Sequence, residues 1–142
     1  MNQTENKITD IKKHLSNAGI YPTTQRLTIA EFLFSRHQHL TADQLYDDMK
    51  ALSKSVSRAT IYNSLNLFSE KRLVKEIHVN ASRTFYDTNM QPHYHFYNID
   101  SGELTDIQDP VIAQHFAREL PDGTTLDDIN ITVQIRNCKN AL

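Results

Sequence analysis

Apolar residues recur at helical spacing through the first seventy positions and alternate afterwards, a change of period that predicts a helical lobe followed by a strand-rich one. Ile8, Ile11, Leu15 and Ala18 share one helical face, and Gly19 supplies a stop. Thr23 or Thr24 caps a second helix whose apolar positions are Leu27, Ala30, Leu33 and Phe34. Thr41 with Gln44 three residues on makes a capping-box pattern, opening a third helix with Leu45, Met49 and Leu52 at helical spacing. Ser57 caps a fourth, in which Ile61, Leu65 and Phe68 form the buried stripe. Two β-prone runs, residues 73–79 and 83–87, flank Asn80-Ala81-Ser82 and read as a hairpin. Helix, tight connection, helix, hairpin is the order of a winged helix-turn-helix.

In the second lobe residues 93–99 alternate with aromatics, Ser101-Gly102 marks a turn, and residues 103–107 return as a neighbouring strand. Pro110 starts a helix through Arg118, Pro121-Asp122-Gly123 breaks the chain, and Ile129, Ile131, Val133 and Ile135 alternate as a closing strand. The expected fold class is α+β: an N-terminal winged helix-turn-helix lobe plus a small C-terminal α/β lobe. An open sheet with an apolar face in so short a lobe invites pairing with a second copy, so the expected state is a homodimer.

Composition adds constraints. The 142 residues are one domain's worth of material or two small ones, and 39% apolar content is enough for a core. Three Gly and four Pro argue against extended disorder. One cysteine, Cys138, forms no internal disulfide and excludes a four-cysteine zinc site. With no signal-peptide core in the first thirty residues and no membrane-length apolar run, the expected location is a reducing compartment, the cytoplasm. A net charge of −2 argues at first sight against a nucleic-acid binder. The average conceals a division, however: residues 1–80 carry 11 basic and 8 acidic side chains, and residues 81–142 carry 4 and 9. A mildly basic lobe precedes an acidic one, so the objection applies to the sum and to neither part.

The polar face of the fourth helix carries Arg58, Thr60, Tyr62, Asn63 and Asn66. A helix in the major groove needs such a set: Arg for guanine or phosphate, Asn for adenine, an aromatic against the thymine methyl. A solvated helix face carries similar residues, and the hairpin that follows tips the reading towards DNA. A second constellation is His93-Tyr94-His95, whose imidazoles fall on one face of a strand with Cβ atoms roughly 7 Å apart. Asp87 lies upstream, Asp106 on the expected neighbouring strand, and His39 before the third helix. Imidazoles with carboxylates suit Fe²⁺, Mn²⁺ or Zn²⁺ rather than a soft metal. His14, His37, His78 and His115 lack such company and read as surface or packing residues.

Three motifs carry a family resemblance: Pro22-Thr23-Thr24-Gln25-Arg26, residues 39–46 (HLTADQLY) and residues 57–65 (SRATIYNSL). Over nearly its full length the chain resembles the ferric uptake regulator (Fur) family of bacterial metal-responsive transcription factors. The resemblance implies a winged-helix DNA-binding domain over 1–87, a hinge at 88–92, and a dimerisation and metal-sensing domain over 93–142. It implies one regulatory divalent metal per subunit, held between the lobes by His39, Asp87, His93, His95 and Asp106. Arg26 and Ser57 join Arg58, Thr60, Tyr62 and Asn63 as the expected DNA-contacting set on a double-stranded operator. The expected function is metal-responsive regulation, mostly repression, and not enzymatic catalysis.

Within the family, residues 84–89, 92–97 and 103–107 look most like the iron response regulator (Irr) branch, which implies control of iron and haem homeostasis genes. Asp87 and Asp106 also resemble the ligands of the peroxide-sensing branch (PerR), the alternative reading. Asn98, Ser101, Cys138 and Ala141 stand where most members hold a structural zinc with two CxxC pairs, so no structural zinc is expected. Pro92 and Tyr94 replace the ligands of a second His/carboxylate site. No Cys-Pro haem motif is present, since Lys139 follows Cys138, and a haem signal is left with His93 and His95. Two rival classes weigh less. A metallohydrolase needs a general acid or base that does not accompany the shell, and a winged-helix protein without metal control leaves the histidine cluster incidental.

Overall fold

The structure, a computed structural model, describes residues 3–139. It divides into two compact units, residues 1–90 and 91–142. In the first, helices α1 (Gln3–Asn17), α2 (Thr24–Leu33), α3 (Ala42–Ala51) and α4 (Arg58–Glu70) combine with strands β1 (His39–Thr41), β2 (Lys75–Asn80) and β3 (Arg83–Asp87). Side chains fix where three of the helices begin. Thr23 accepts from the Arg26 amide, Ser57 from the Thr60 amide, and Thr41 and Gln44 complete a reciprocal capping box. The core is the sum of the apolar stripes: Leu15, Ile29, Leu33, Leu45, Met49, Ile61, Leu65 and Phe68 are all buried. This fixes α4 with its opposite face outward.

Two residues of the helical apolar spacing lie outside the core. Leu52 is 58% exposed, because α3 ends at Ala51 and Leu52 is its C-cap, turned off the helical stripe. Ile8, two turns before the buried Leu15, is 38% exposed.

The sheet of this unit has the order β1-β3-β2, all antiparallel. The β2–β3 hairpin is the wing, with a register irregularity between His78 and Asn80. Strand β1 has no counterpart in the periodicity reading. It pairs His39 with Asp87 and Thr41 with Phe85, tying the chain before α3 to the end of the wing. Thr88 extends this tie: its amide donates to the Gln38 carbonyl at 3.0 Å, and its hydroxyl accepts from the Gln38 amide at 3.0 Å.

The second unit contains β4 (Tyr94–Asn98), β5 (Leu104–Ile107), α5 (Pro110–Arg118) and β6 (Thr132–Ile135). The sheet order is β5-β4-β6, with β5 antiparallel and β6 parallel to the central β4. The closing strand is shorter than its alternating apolar run, since pairing with β4 reaches only from His95 to Asn98. Asp109 caps α5 by accepting from the Val111 amide, with Pro110 at the first helical turn. No described helix is long and apolar enough to cross a membrane.

Candidate metal centre and nucleic-acid interface

Alternation along β4 and its register with β5 build a candidate metal site in the second unit. His95 stands directly opposite Asp106, and His93 precedes the strand by one residue on the same face. The two imidazoles lie 4.6 Å apart between ring centres. His93 Nε2 is 3.7 Å and His95 Nε2 3.4 Å from the same Asp106 Oδ1. Both histidines are about as buried as core residues, at 5% and 3% exposed. One ligand atom from each of the three lies within 4.8 Å of the others.

This donor set fits a divalent ion. Ligands about 2.1 Å from a metal sit roughly 3.0 to 4.2 Å from one another, depending on the angle they subtend. The two imidazole-to-carboxylate distances fall inside that range. His93 Nδ1 is 2.7 Å from the Gln91 carbonyl, a contact that requires the proton on Nδ1 and leaves the Nε2 lone pair for a metal. Nitrogen and hard oxygen donors without thiolate suit Fe²⁺, Mn²⁺ or Zn²⁺.

The other two expected ligands belong to the first unit. Asp87, 1% exposed, ends β3 and accepts from the Asn89 amide at 2.9 Å. His39 is its register partner on β1, half-buried with its ring edge-on to Phe85 at 6.1 Å. A buried carboxylate with an imidazole across the strand is a costly arrangement unless the charge is compensated.

The outward face of α4 forms the candidate nucleic-acid interface. Tyr62 and Asn63 are exposed, Tyr62 at 44%. The remaining members of the expected set have local partners. Ser57 is the α4 N-cap, and its hydroxyl lies 2.9 Å from that of Thr60. Arg26 donates to the Tyr21 carbonyl at 2.9 Å, fixing the turn before α2. Arg58 donates to Asp43 at 2.7 Å, and its guanidinium lies over the Tyr46 ring at 4.1 Å. Sequence reasoning missed this last pairing, because Asp43 and Arg58 are far apart in the chain and share no helix.

A cleft of about 460 Å³ opens beside Tyr62, between the start of α3 and the wing, lined in part by Asp43, Asp47, Arg83 and Tyr86. Burial pushes the Tyr86 phenol above its ordinary range, with Glu76 and Tyr62 acting in the same direction. It therefore stays protonated and donates to Asn66 Oδ1 at 3.4 Å.

The sequence profile of the ferric uptake regulator family matches residues 17–134. The peroxide-responsive repressor PerR of Staphylococcus aureus strain Mu50 is 36% identical over 106 residues, covering 75% of this chain and 72% of that protein. The solved ferric uptake regulator of Pseudomonas aeruginosa with manganese superposes with a TM-score of 0.79 at 25% identity, covering 90% of this chain and 98% of that one. The Campylobacter jejuni peroxide stress regulator gives a TM-score of 0.66 at 28% identity, covering 99% and 100%.

Proposed function

The chain belongs to the ferric uptake regulator family of transcriptional regulators, and from that premise we propose that it is an operator-binding homodimer in which one Fe²⁺ or Mn²⁺ per subunit sets DNA affinity. The observation that carries this reading is the convergence of two buried imidazoles, through His93 Nε2 and His95 Nε2, on Asp106 Oδ1 in a thiol-free site. His39 and Asp87 complete the shell. Asp87 is six residues from His93, so the backbone holds them within roughly 20 Å of each other even when fully extended. His39 and Asp87 on the β1–β3 pair, with His93, His95 and Asp106 beside and on β4 and β5, would hold the ion, and its positive charge would compensate the carboxylates.

That linkage is the means of control. Half-site spacing is a geometric requirement on a dimer, so fixing the angle between units changes DNA affinity without altering any contact residue. Each tenfold shift towards the competent geometry needs about 1.4 kcal/mol of differential binding, within reach of a few inner-sphere bonds. On the operator, Arg58, Tyr62 and Asn63 supply the base contacts. Arg26, Ser57 and Thr60 support them through the backbone of α2 and α4.

The signal we propose is iron supply, in the manner of the iron response regulator branch, with target genes of iron and haem homeostasis. Haem itself fits the histidines poorly: both are buried and aimed at one carboxylate, an arrangement for a single ion. A peroxide signal is the second reading, favoured by the names of the Staphylococcus aureus and Campylobacter jejuni relatives. Under it, His39 and His93 are the residues that gain oxygen when the iron form meets hydrogen peroxide.

One experiment separates these readings: operator binding by the metal-stripped, Mn²⁺, Fe²⁺ and haem-loaded protein, at fixed salt because phosphate contacts make affinity salt-dependent. Metal should change affinity at least tenfold, and His93→Ala should abolish the change together with stoichiometric metal binding. Equal affinity of stripped and loaded protein would sink metal control. Loss of binding after peroxide treatment of the Fe²⁺ form alone, with an added oxygen on His39 or His93 by mass spectrometry, selects the peroxide signal.

A further inference from the structure

Arg58 is the first residue of α4, and the N-terminal residues of a recognition helix are those that meet base edges. An unrestrained arginine there would be expected to divide its time between bases and the nearer phosphates. Here its guanidinium is held twice from α3: one Nη1 proton goes to Asp43 Oδ1 at 2.7 Å, and the ring of Tyr46, one turn on from Asp43, covers a face at 4.1 Å. The ion pair itself lies outside the core, with the Arg58 and Asp43 side chains 55% and 66% exposed, whereas Tyr46 also packs against the core.

An exposed ion pair of this kind adds little stability, so its consequence lies in geometry. With Nη1 engaged by Asp43 and one face against Tyr46, the Nη2 and Nε donors present a planar, preset edge. That edge matches the paired O6 and N7 acceptors of guanine. The Asp43 carboxylate also repels phosphate, which disfavours the nonspecific alternative.

Resting on the reading that α4 enters the major groove, we infer that Asp43, assisted by Tyr46, is a specificity-determining residue that positions Arg58 to read a guanine in each half-site. Asp43 touches no base in this arrangement. It acts through Arg58, and its removal affects discrimination more than affinity.

The test uses the full-length Mn²⁺-loaded chain and a pool of random-sequence duplexes, from which preferred sites are selected for wild type, Asp43→Asn, Tyr46→Leu and Arg58→Lys. Wild type should require a guanine at one position per half-site, with a penalty of roughly tenfold or more for its replacement. Asp43→Asn should lose that preference, keep the others, bind scrambled duplex severalfold more tightly, and show a salt dependence steeper by about one phosphate contact. Arg58→Lys keeps the charge without the planar fork, and should lose the same preference. Unchanged selection by Asp43→Asn, with a wild-type melting curve, overturns the inference and leaves the DNA-binding reading standing. Absence of any selection by wild type overturns both.

Discussion

Three helices of the first unit end in the same way, on different residues. Gly19, Ser53 and Arg72 have φ of 78°, 57° and 58°. In each case the following amide reaches back to the carbonyl five residues earlier: Ile20 to Leu15, Lys54 to Met49, Leu73 to Phe68. This Schellman geometry asks for a left-handed residue, which glycine adopts without penalty and others adopt at a cost of about 1 kcal/mol. Gly19 was legible in the sequence for that reason, whereas Ser53 and Arg72 carry no local mark of a positive φ. Ser53→Gly should therefore stabilise the protein by about 0.5 to 1 kcal/mol, even after the extra freedom glycine gives the unfolded chain. Ser53→Val should do the opposite, since a β-branched residue fits that region badly. Thermal unfolding of both variants checks the sign, and neither should change operator affinity.

At the scale of elements, side chains of the turn after β4 bind the segment after β6, beside one backbone bond from the Ile99 amide to the Ile135 carbonyl. Asn98 Nδ2 donates to Asn137 Oδ1 at 2.8 Å, the Asn137 amide donates to Asp100 Oδ2 at 2.9 Å, and Asn98 Oδ1 accepts from the amides of Asp100 and Ser101. Asn98 and Ser101 are two of the positions at which a structural zinc was expected to be missing, and Cys138, exposed, is a third; Ala141 lies outside the described residues. A hydrogen-bonded clamp therefore joins the same stretches of chain without thiolates. Replacing Asn98 by Ala removes a donor and an acceptor serving three partners. The expected cost is about 1 to 2 kcal/mol to the second unit. Amide hydrogen exchange at β6 reads it locally, and Asn137→Ala in the Asn98→Ala background should add little, because the two residues share one bond. Legibility follows range here. The caps of α2, α3 and α4 and the face shared by His93 and His95 depend on spacings of two to four residues, and the sequence displays them. The register of His39 against Asp87, and the reach of Asp43 to Arg58, join residues far apart in the chain through a three-residue strand and an interhelical contact, for which no periodicity exists.

For the whole molecule, charge and apolar surface are distributed differently between the units. Residues 1–90 carry 12 basic and 9 acidic side chains, and residues 91–142 carry 3 and 8. The second unit is thus a poor partner for phosphates, and its exposed apolar residues point to another use. Phe96 and Val133 are register partners across β4 and β6, at 37% and 41% exposed, and Ile135 follows at 37%. Alternation sets Phe96 on the face of β4 opposite His95, so the apolar pair and the metal ligands occupy separate sides of one sheet. A charge on the apolar side should then break the proposed dimer without touching the metal site. Val133→Asp is expected to sediment as a monomer at concentrations where wild type is dimeric. It should retain stoichiometric Mn²⁺ binding and lose about a hundredfold or more in operator affinity, as two linked half-site contacts become one. A Val133→Asp protein that remains dimeric by sedimentation equilibrium would move the interface elsewhere. One that is monomeric yet binds the operator as tightly as wild type would remove the dimer from the mechanism, because control through the angle between half-sites requires two DNA-binding units on one duplex.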